Sequence, residues 1–156
     1  MQGTLFNDTS TFEYQPVLVI SIREDLHSKI LAKEKLFEYR RKYIKFPSKV
    51  FIYVSGKIKG ILAYAEFGQP IIGSIEQMLK INASEPHPNP SGICKYFKDN
   101  KECYAIPIIT YKQIDKIPLS DLRQRFNFYP PQSYVYLQKR TVLLNYLLNE
   151  VNKTQY

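Results

Sequence analysis

The sequence has no tryptophan and only two cysteines, Cys94 and Cys103, among 156 residues. Two cysteines are too few for the disulfide framework of a small extracellular protein, so we expect reduced thiols and a cytoplasmic location. Residues 1–8 contain neither a basic leader nor an apolar segment, which gives no indication of a secretion signal. The longest apolar runs, such as residues 17–20 and 105–109, are far shorter than the roughly 20 residues of a membrane helix. We therefore expect no membrane association.

Several familiar site motifs are also missing. The chain has no glycine-rich phosphate loop, no dinucleotide fingerprint and no nucleophile elbow. Its two cysteines and its two histidines, His27 and His87, lack the spacing of a zinc finger. We expect neither a metal nor a cofactor, and we expect His27 to lie on the surface of a helix.

Positive charge is plentiful and clustered. The net charge is +8, and residues 23–49 hold nine Lys or Arg against four Asp or Glu. Aromatic residues are interleaved with these charges: Phe37, Tyr39, Tyr43, Phe46 and Tyr53. A basic segment with aromatics fits a polyanion, in the first place a nucleic acid, either RNA or DNA. An ordinary solvated basic face accounts for the charge equally well.

Hydrophobic periodicity predicts short strands separated by short helices. The predicted strands are residues 17–22, 36–40, 49–54, 60–67 and 103–111. The predicted helices are residues 24–33, 75–81, 93–97, 119–126 and 137–151. Ser74 and Ser91 are the predicted N-caps of the second and third helices.

This order of elements lacks a regular βαβ alternation, so it predicts an α+β fold with a small mixed β-barrel. We expect an N-terminal extension at residues 1–16 and the barrel at residues 17–137. Residues 138–156 would form a C-terminal helix that packs on the domain or extends from it. That helix is also a candidate docking surface for a protein partner.

Lys35, Glu38 and Arg40 form the most informative polar cluster. Glu38 and Arg40 are two residues apart on a predicted strand and therefore face the same side, and Lys35 lies in the turn that leads into it. A guanidinium and an ammonium can hold phosphate or base edges, and a carboxylate can accept from an exocyclic amine. An exposed, salt-bridged strand would show the same spacing.

The pattern around this cluster resembles the ASCH family of the PUA-like superfamily. The matching pieces are the strand ending Ser21-Ile22, the helix ending Ile30-Leu31, and then Lys35-x-x-Glu38-x-Arg40-Arg41. The resemblance covers about residues 17–137 and departs at Lys33, where many members have glycine. It implies a PUA-like β-barrel whose cleft binds RNA or modified nucleobases. The residues implied to line or join the cleft are Ser21, Lys35, Glu38, Arg40, Arg41 and Ser55.

The resemblance also implies an enzymatic alternative, a hydrolase acting on RNA or modified nucleosides. Some ASCH proteins deacetylate acetylcytidine with a Lys, a Thr and a Glu. The Lys matches Lys35, the Thr position holds Glu38, and the Glu falls in a region that contains Glu85. Other members are linked to ribonuclease activity, for which Lys35, Arg40 and Tyr53 could stabilise a phosphorane-like charge. Lys35 and Glu38 are thus the candidate catalytic residues.

Three further residues complete the candidate site. Gln132 and Ser133 follow two prolines that stiffen the loop presenting them. Glu66 lies in an otherwise apolar strand, and alternation favours an inward orientation in which it pairs with Lys35 or Arg40.

Overall fold

The computed structural model describes residues 15–154, so most of the predicted extension at residues 1–16 lies outside the described residues. The strands are β1 (Val17–Ile22), β2 (Phe37–Arg40), β3 (Ser48–Val54), β4 (Gly60–Phe67), β5 (Ile71–Gly73), β6 (Cys103–Pro118) and β7 (Tyr134–Tyr136). The helices are α1 (Glu24–Leu31), α2 (Ile75–Ala83), α3 (Pro90–Phe97), α4 (Leu119–Phe126) and α5 (Thr141–Thr154). No helix in this part of the chain is long and apolar enough to cross a membrane.

The strands form one strongly curled sheet in the order β2-β6-β4-β3-β1-β7, and β5 pairs with β6 off this path. Among the described strands, β1 and β3 pair in parallel and the other neighbours pair antiparallel. The 16-residue β6 pairs with β2 and β5 through its first half and with β4 through its second half. The sheet curls along this strand into a half-barrel. The predicted α+β fold with a small mixed barrel is confirmed.

The central strands are buried on both faces, which explains their nearly continuous apolar sequences. Along β1, Leu18 and Ile20 point into the core inside the curl, and Val19 points into a second core on the outer face. Helices α4 and α5 cover that outer face through residues such as Leu122 and Leu147. Helices α2 and α3 form a third cluster against the start of β6.

Several predicted boundaries are correct to the residue, namely those of β1, β4 and α4. Helix α1 ends at Leu31, before the predicted residue 33, because Lys33 takes a left-handed backbone with φ of 59°. Asn89, not Ser91, caps α3 by accepting from the backbone of Gly92. The short β5 and β7 and the second half of β6 were not predicted.

The C-terminal helix begins at Thr141, later than predicted, and packs on the domain. Leu143, Leu147 and Val151 are buried in the outer core. The apolar face of this helix is therefore largely covered. Of its apolar residues, Val142 and Leu148 remain exposed.

Candidate functional site

A cleft of about 690 Å³ opens beside α1, the ends of β1 and β2, and the loop that precedes β7. Its walls also include the end of α2 and one side of α3. A cavity of this size suits a small organic ligand or one unit of a polymer. The predicted site residues Ser21, Lys35, Glu38, Arg40, Tyr53, Ser55 and Gln132 all line it.

A tight turn after α1 brings Lys35 to the mouth of the cleft. The left-handed Lys33 reverses the chain, and the backbone amides of Glu34 and Lys35 then donate to the Lys29 carbonyl at 2.9 and 3.3 Å. Strand β2 begins immediately afterwards and pairs with β6. Alternation along β2 directs Glu38 and Arg40 to the same side.

The cationic head groups of Lys35 and Arg40 both lie beside the carboxylate of Glu38, a residue that is only 4% exposed. Lys35 Nζ lies 3.7 Å from Glu38 Oε1, and Arg40 Nε donates to Glu38 Oε2 at 2.9 Å. A buried carboxylate needs such partners, because taking an unpaired charge out of water is costly. The two cations therefore fix the position of Glu38, and Glu38 fixes theirs.

Arg40 also connects distant parts of the chain. Its guanidinium donates to the Ser21 backbone carbonyl at 3.1 Å and to Ser133 Oγ at 3.4 Å. Ser21 lies on β1 and Ser133 directly precedes β7, at the opposite edge of the sheet from β2. Arg40 thus connects β2 with the segment before β7. These are the two edges of the described sheet, and they do not pair with each other through backbone hydrogen bonds. Most of its hydrogen-bonding capacity is directed at the protein.

Of the two cations beside Glu38, Lys35 is the one with capacity left for a ligand. Its 3.7 Å contact with Glu38 is too long for a hydrogen bond, and its ammonium lies 4.8 Å from the centre of the Tyr39 ring. Neither contact uses a directed N–H. The side chain is 15% exposed and lines the cleft. Lys35 therefore offers a partly desolvated positive charge to whatever occupies the cleft.

Glu85, which the sequence connected to the site only loosely, is buried in the cleft wall. It accepts from the backbone amides of Leu36 and Phe37 at 2.7 and 3.1 Å, from Tyr39 Oη at 2.6 Å and from Asn82 Nδ2 at 3.0 Å. These four donors satisfy the carboxylate. Burial, and next the bond to Glu85, raise the pKa of Tyr39 far above its usual value. Glu85 thus anchors the Lys35 turn to the end of α2.

The expectation that His27 lies on the surface is wrong. His27 is 5% exposed, and its Nδ1 lies 2.7 Å from Tyr111 Oη. Its position three residues before the buried Ile30, on the same helical face, was the available signal. Burial lowers the pKa of His27, and burial followed by the charge of Glu38 raises the pKa of Tyr111. A neutral pair of side chains therefore lies near the charged cluster.

The remaining predicted residues on the cleft wall bond mainly to backbone carbonyls of other segments. Ser21 Oγ donates to the Pro131 carbonyl at 2.6 Å, which holds the diproline loop against β1. Ser55 Oγ donates to the Ile22 carbonyl at 3.2 Å. Burial raises the pKa of Tyr53, with a smaller opposing effect from Arg123. Gln132 is exposed at the mouth of the cleft.

Three predicted site residues do not line the cleft. Ser133, directly before β7, instead accepts from the Arg40 guanidinium at 3.4 Å. Arg41 Nε donates to the Tyr96 carbonyl at 2.8 Å, and its guanidinium stacks 4.5 Å from the Tyr96 ring, which does line the cleft. Arg41 therefore belongs to the rim. Glu66 is exposed and accepts from Thr110 Oγ1 at 3.2 Å. The expectation that it turns inward to pair with Lys35 or Arg40 is wrong.

The cleft is less basic than the surrounding sequence predicts. Its charged lining consists of Arg23, Lys29, Lys35 and Arg40 against Glu34, Glu38 and Glu85, a net charge of +1 with histidine neutral. Most of the cationic charge on this wall is compensated. Charge in the cleft therefore contributes selectivity at particular points, such as Lys35, more than long-range attraction.

Comparison with known proteins finds relatives that share this architecture. No protein-family model matches the chain. It is 26% identical over 125 residues to the ASCH domain-containing ribonuclease of Zymomonas mobilis subsp. mobilis, an alignment that covers 78% of this chain and 84% of that protein. The crystal structure of ASCH from Zymomonas mobilis superposes with a TM-score of 0.71 at 23% identity, covering 82% of this chain and 92% of that one.

A serine-to-alanine variant of the same Zymomonas mobilis protein superposes with a TM-score of 0.72 at 24% identity, over 85% of this chain and 96% of that one. The shared fold includes the curled sheet that carries the Lys35–Glu38–Arg40 cluster. Sequence pattern, fold and relative agree in their similarity to ASCH domain proteins, and they support this chain as one.

Proposed function

We propose that this protein binds RNA in the cleft, with the Lys35 ammonium on a backbone phosphate. The observation that carries the proposal is the geometry of Lys35, a cation held at the mouth by Glu38 without a hydrogen bond. The ASCH domain-containing ribonuclease of Zymomonas mobilis, which acts on RNA by its name, supports the choice of RNA as ligand.

The rim of the cleft suits a base as well as a phosphate. Tyr96 is 36% exposed, and the stacked Arg41 stiffens its ring. An aromatic ring backed by a guanidinium is a stacking platform that accepts every base. Gln132 and Ser55 supply polar atoms on the facing wall. We expect one nucleotide to place its phosphate at Lys35 and its base over Tyr96.

A titration with labelled single-stranded RNA tests this proposal. Lys35→Gln removes the charge and keeps a polar side chain that is one methylene shorter, and we expect affinity to fall about tenfold, or about 1.4 kcal/mol. The slope of log affinity against log salt should decrease by about 0.7, the contribution of one single-strand phosphate contact. Lys112→Gln is the matched control, because Lys112 is exposed and lies outside the cleft lining.

Equal affinities of wild type and Lys35→Gln would contradict the proposal. A DNA strand of the same sequence belongs in the same experiment. The 2′-hydroxyl is the group that distinguishes the two nucleic acids, so tighter binding of RNA would indicate contacts to the ribose.

RNA cleavage is the second candidate function, favoured by the name of the Zymomonas mobilis relative. The 2′-hydroxyl would lose its proton to water and attack the adjacent phosphorus; the bond to the 5′-oxygen breaks, this oxygen takes a proton from water, and a 2′,3′-cyclic phosphate remains. Lys35 would stabilise the charge that develops on the phosphoryl oxygens. A tyrosine hydroxyl is protonated at neutral pH even at its ordinary pKa, so Tyr53 can donate a hydrogen bond to that charge; burial raises the pKa of Tyr53 and makes it a weaker acid for full proton transfer.

Glu38 is less suited to act as the base, since both of its oxygens face cations. The same arrangement disfavours the acetylcytidine amidohydrolase, which needs a hydroxyl at that position. Labelled RNA incubated with wild type, Lys35→Gln and Tyr53→Phe tests cleavage. Cyclic-phosphate products that disappear in both variants support it, and intact RNA with the wild type refutes it.

A further inference from the structure

A second concave surface lies away from the cleft and carries a stronger positive charge. It is a groove of about 670 Å³ between the end of α4, the turn after β7 and the start of α5. Its charged lining consists of Arg123, Arg125, Lys139 and Arg140, and no carboxylate is among its described lining residues. The groove thus has a net charge of +4, against +1 for the cleft.

Aromatic rings orient the arginines of this groove. The Arg125 guanidinium lies 4.5 Å from the Tyr146 ring centre, and Arg123 lies 5.2 Å from that of Tyr129. Stacking on a ring holds a guanidinium by its face and leaves its N–H groups directed outward. Arg140 is held differently, because it donates to the Phe126 carbonyl.

Two carboxylates act on Tyr146, the residue whose ring stacks with Arg125. Glu150 bonds to its hydroxyl, and Asp121 also acts on it. Neither lines the groove. Arg123, Arg125 and Lys139 are all exposed, so a polyanion can reach them from solvent. Forked guanidinium groups with outward donors are well matched to phosphate oxygens.

The groove and the cleft are connected through Tyr129. Tyr129 is 62% exposed, stacks against Arg123 of the groove, and directly precedes Pro130, which lines the cleft. The charge of Arg123 also acts on Tyr53 in the cleft wall. A flexible chain that leaves the cleft beside Pro130 therefore meets an exposed aromatic ring and then the arginines.

We propose that this groove is a second RNA-backbone site, which takes the strand leaving the cleft across Tyr129. The inference rests on the proposed function, because it extends the same ligand beyond the cleft. RNA fits better than a compact acidic ligand, since the positive charges follow an exposed ring on which a base can stack. Short RNA would fill the cleft alone, and longer RNA would occupy both surfaces.

Binding of a 4-nucleotide and a 16-nucleotide RNA of uniform sequence tests the proposal. The variant Arg123→Gln/Arg125→Gln/Lys139→Gln leaves Arg140 and its backbone bond intact. We expect it to bind the 4-mer like wild type and to bind the 16-mer at least tenfold more weakly. Its salt slope for the 16-mer should decrease by about 2, since each single-strand phosphate contact contributes about 0.7. Lys35→Gln should weaken binding of both lengths.

Two further variants exclude a folding artefact. Arg123→Lys/Arg125→Lys keeps the charges and should retain most of the 16-mer affinity. Lys139→Glu alters a single exposed turn residue and should weaken 16-mer binding without affecting the 4-mer. The triple variant and Lys139→Glu could both bind the 16-mer with unchanged affinity while binding of the 4-mer still depends on Lys35. That result would refute RNA binding by the groove but not the proposed RNA binding in the cleft.

The other outcomes are also decisive. Loss of 16-mer binding in the triple variant together with unchanged binding of both lengths in Lys35→Gln would support the groove and refute the cleft. Absence of wild-type binding to either RNA would refute both. A polyglutamate peptide of equal charge that displaces the 16-mer as effectively as unlabelled RNA would overturn RNA as the occupant.

Discussion

Replacement of Arg40 by alanine tests whether this side chain holds the half-barrel together. The change removes hydrogen bonds to Glu38, to the Ser21 carbonyl and to Ser133. It leaves Glu38 buried, with Lys35 at 3.7 Å as its remaining cation. Removing one partner of a buried ion pair costs about 3–5 kcal/mol, and because Lys35 still compensates part of the charge we expect a loss of about 3 kcal/mol.

Chemical denaturation measures this loss, and a double-mutant cycle with Glu38→Gln isolates the pair. Removing the carboxylate charge removes most of the penalty for removing its partner. The double variant should therefore be more stable than the sum of the two single effects predicts, by about 2 kcal/mol. Arg40→Lys should recover only part of the stability, because one ammonium cannot reach all three acceptors in the fork geometry of Arg40.

Amide hydrogen exchange adds a local readout. The Ser21 amide donates to the Ser133 carbonyl at 3.2 Å, next to the bridge that Arg40 makes. In Arg40→Ala we expect the exchange rate of the Ser21 amide to increase over wild type by more than that of Val19, which lies deeper in the same strand. A stability loss below about 0.5 kcal/mol, typical of an exposed ion pair, would refute the assignment of Arg40 as the connection between sheet edges.

Three further predictions follow from local geometry. Lys33→Gly should stabilise the protein by about 0.5 kcal/mol in thermal or chemical denaturation, because glycine adopts the left-handed φ of 59° without strain; a destabilised variant would contradict this. Ser74→Ala should cost about 1 kcal/mol, because it breaks the capping box with Gln77, and an unchanged denaturation midpoint would show that the cap contributes nothing. Because burial lowers the pKa of His27 in the folded state, protonation favours unfolding: stability should be complete above about pH 6.5 and fall as pH decreases below it. His27→Gln should reduce that pH dependence, and a wild-type stability that is flat between pH 5 and 8 would argue against it.

The sequence predicted the parts of the site that are local in the chain. Lys35, Glu38 and Arg40 lie within six residues, so turn geometry and strand alternation sufficed to bring them together. The partners of Arg40 lie 19 and 93 residues away, at Ser21 and Ser133, and depend on how the sheet curls. No local sequence pattern indicates that residues so far apart along the chain are in contact.

The errors have identifiable physical causes. The orientation of Glu66 was predicted by assuming regular alternation along β4. The strand instead has register shifts against β6 between Ile61 and Ala63 and between Glu66 and Phe67, which interrupt that alternation. The second half of β6 was missed because its exposed face is polar, although Ile114 and Ile117 face the outer core. Ile114 and Ile117 are three residues apart, so the period of two that identifies a half-buried strand is not visible in this segment.

The distribution of charge separates two tasks. The whole chain carries a net charge of +8, but the cleft carries only +1 because Glu34, Glu38 and Glu85 offset its cations. The groove carries +4 without a carboxylate in its described lining. Sequence-independent attraction to a polyanion grows with the number of phosphates neutralised, so most of it should come from the groove. The compensated cleft instead holds one ammonium in a fixed position, which is what recognition of a particular phosphate, or chemistry on it, requires.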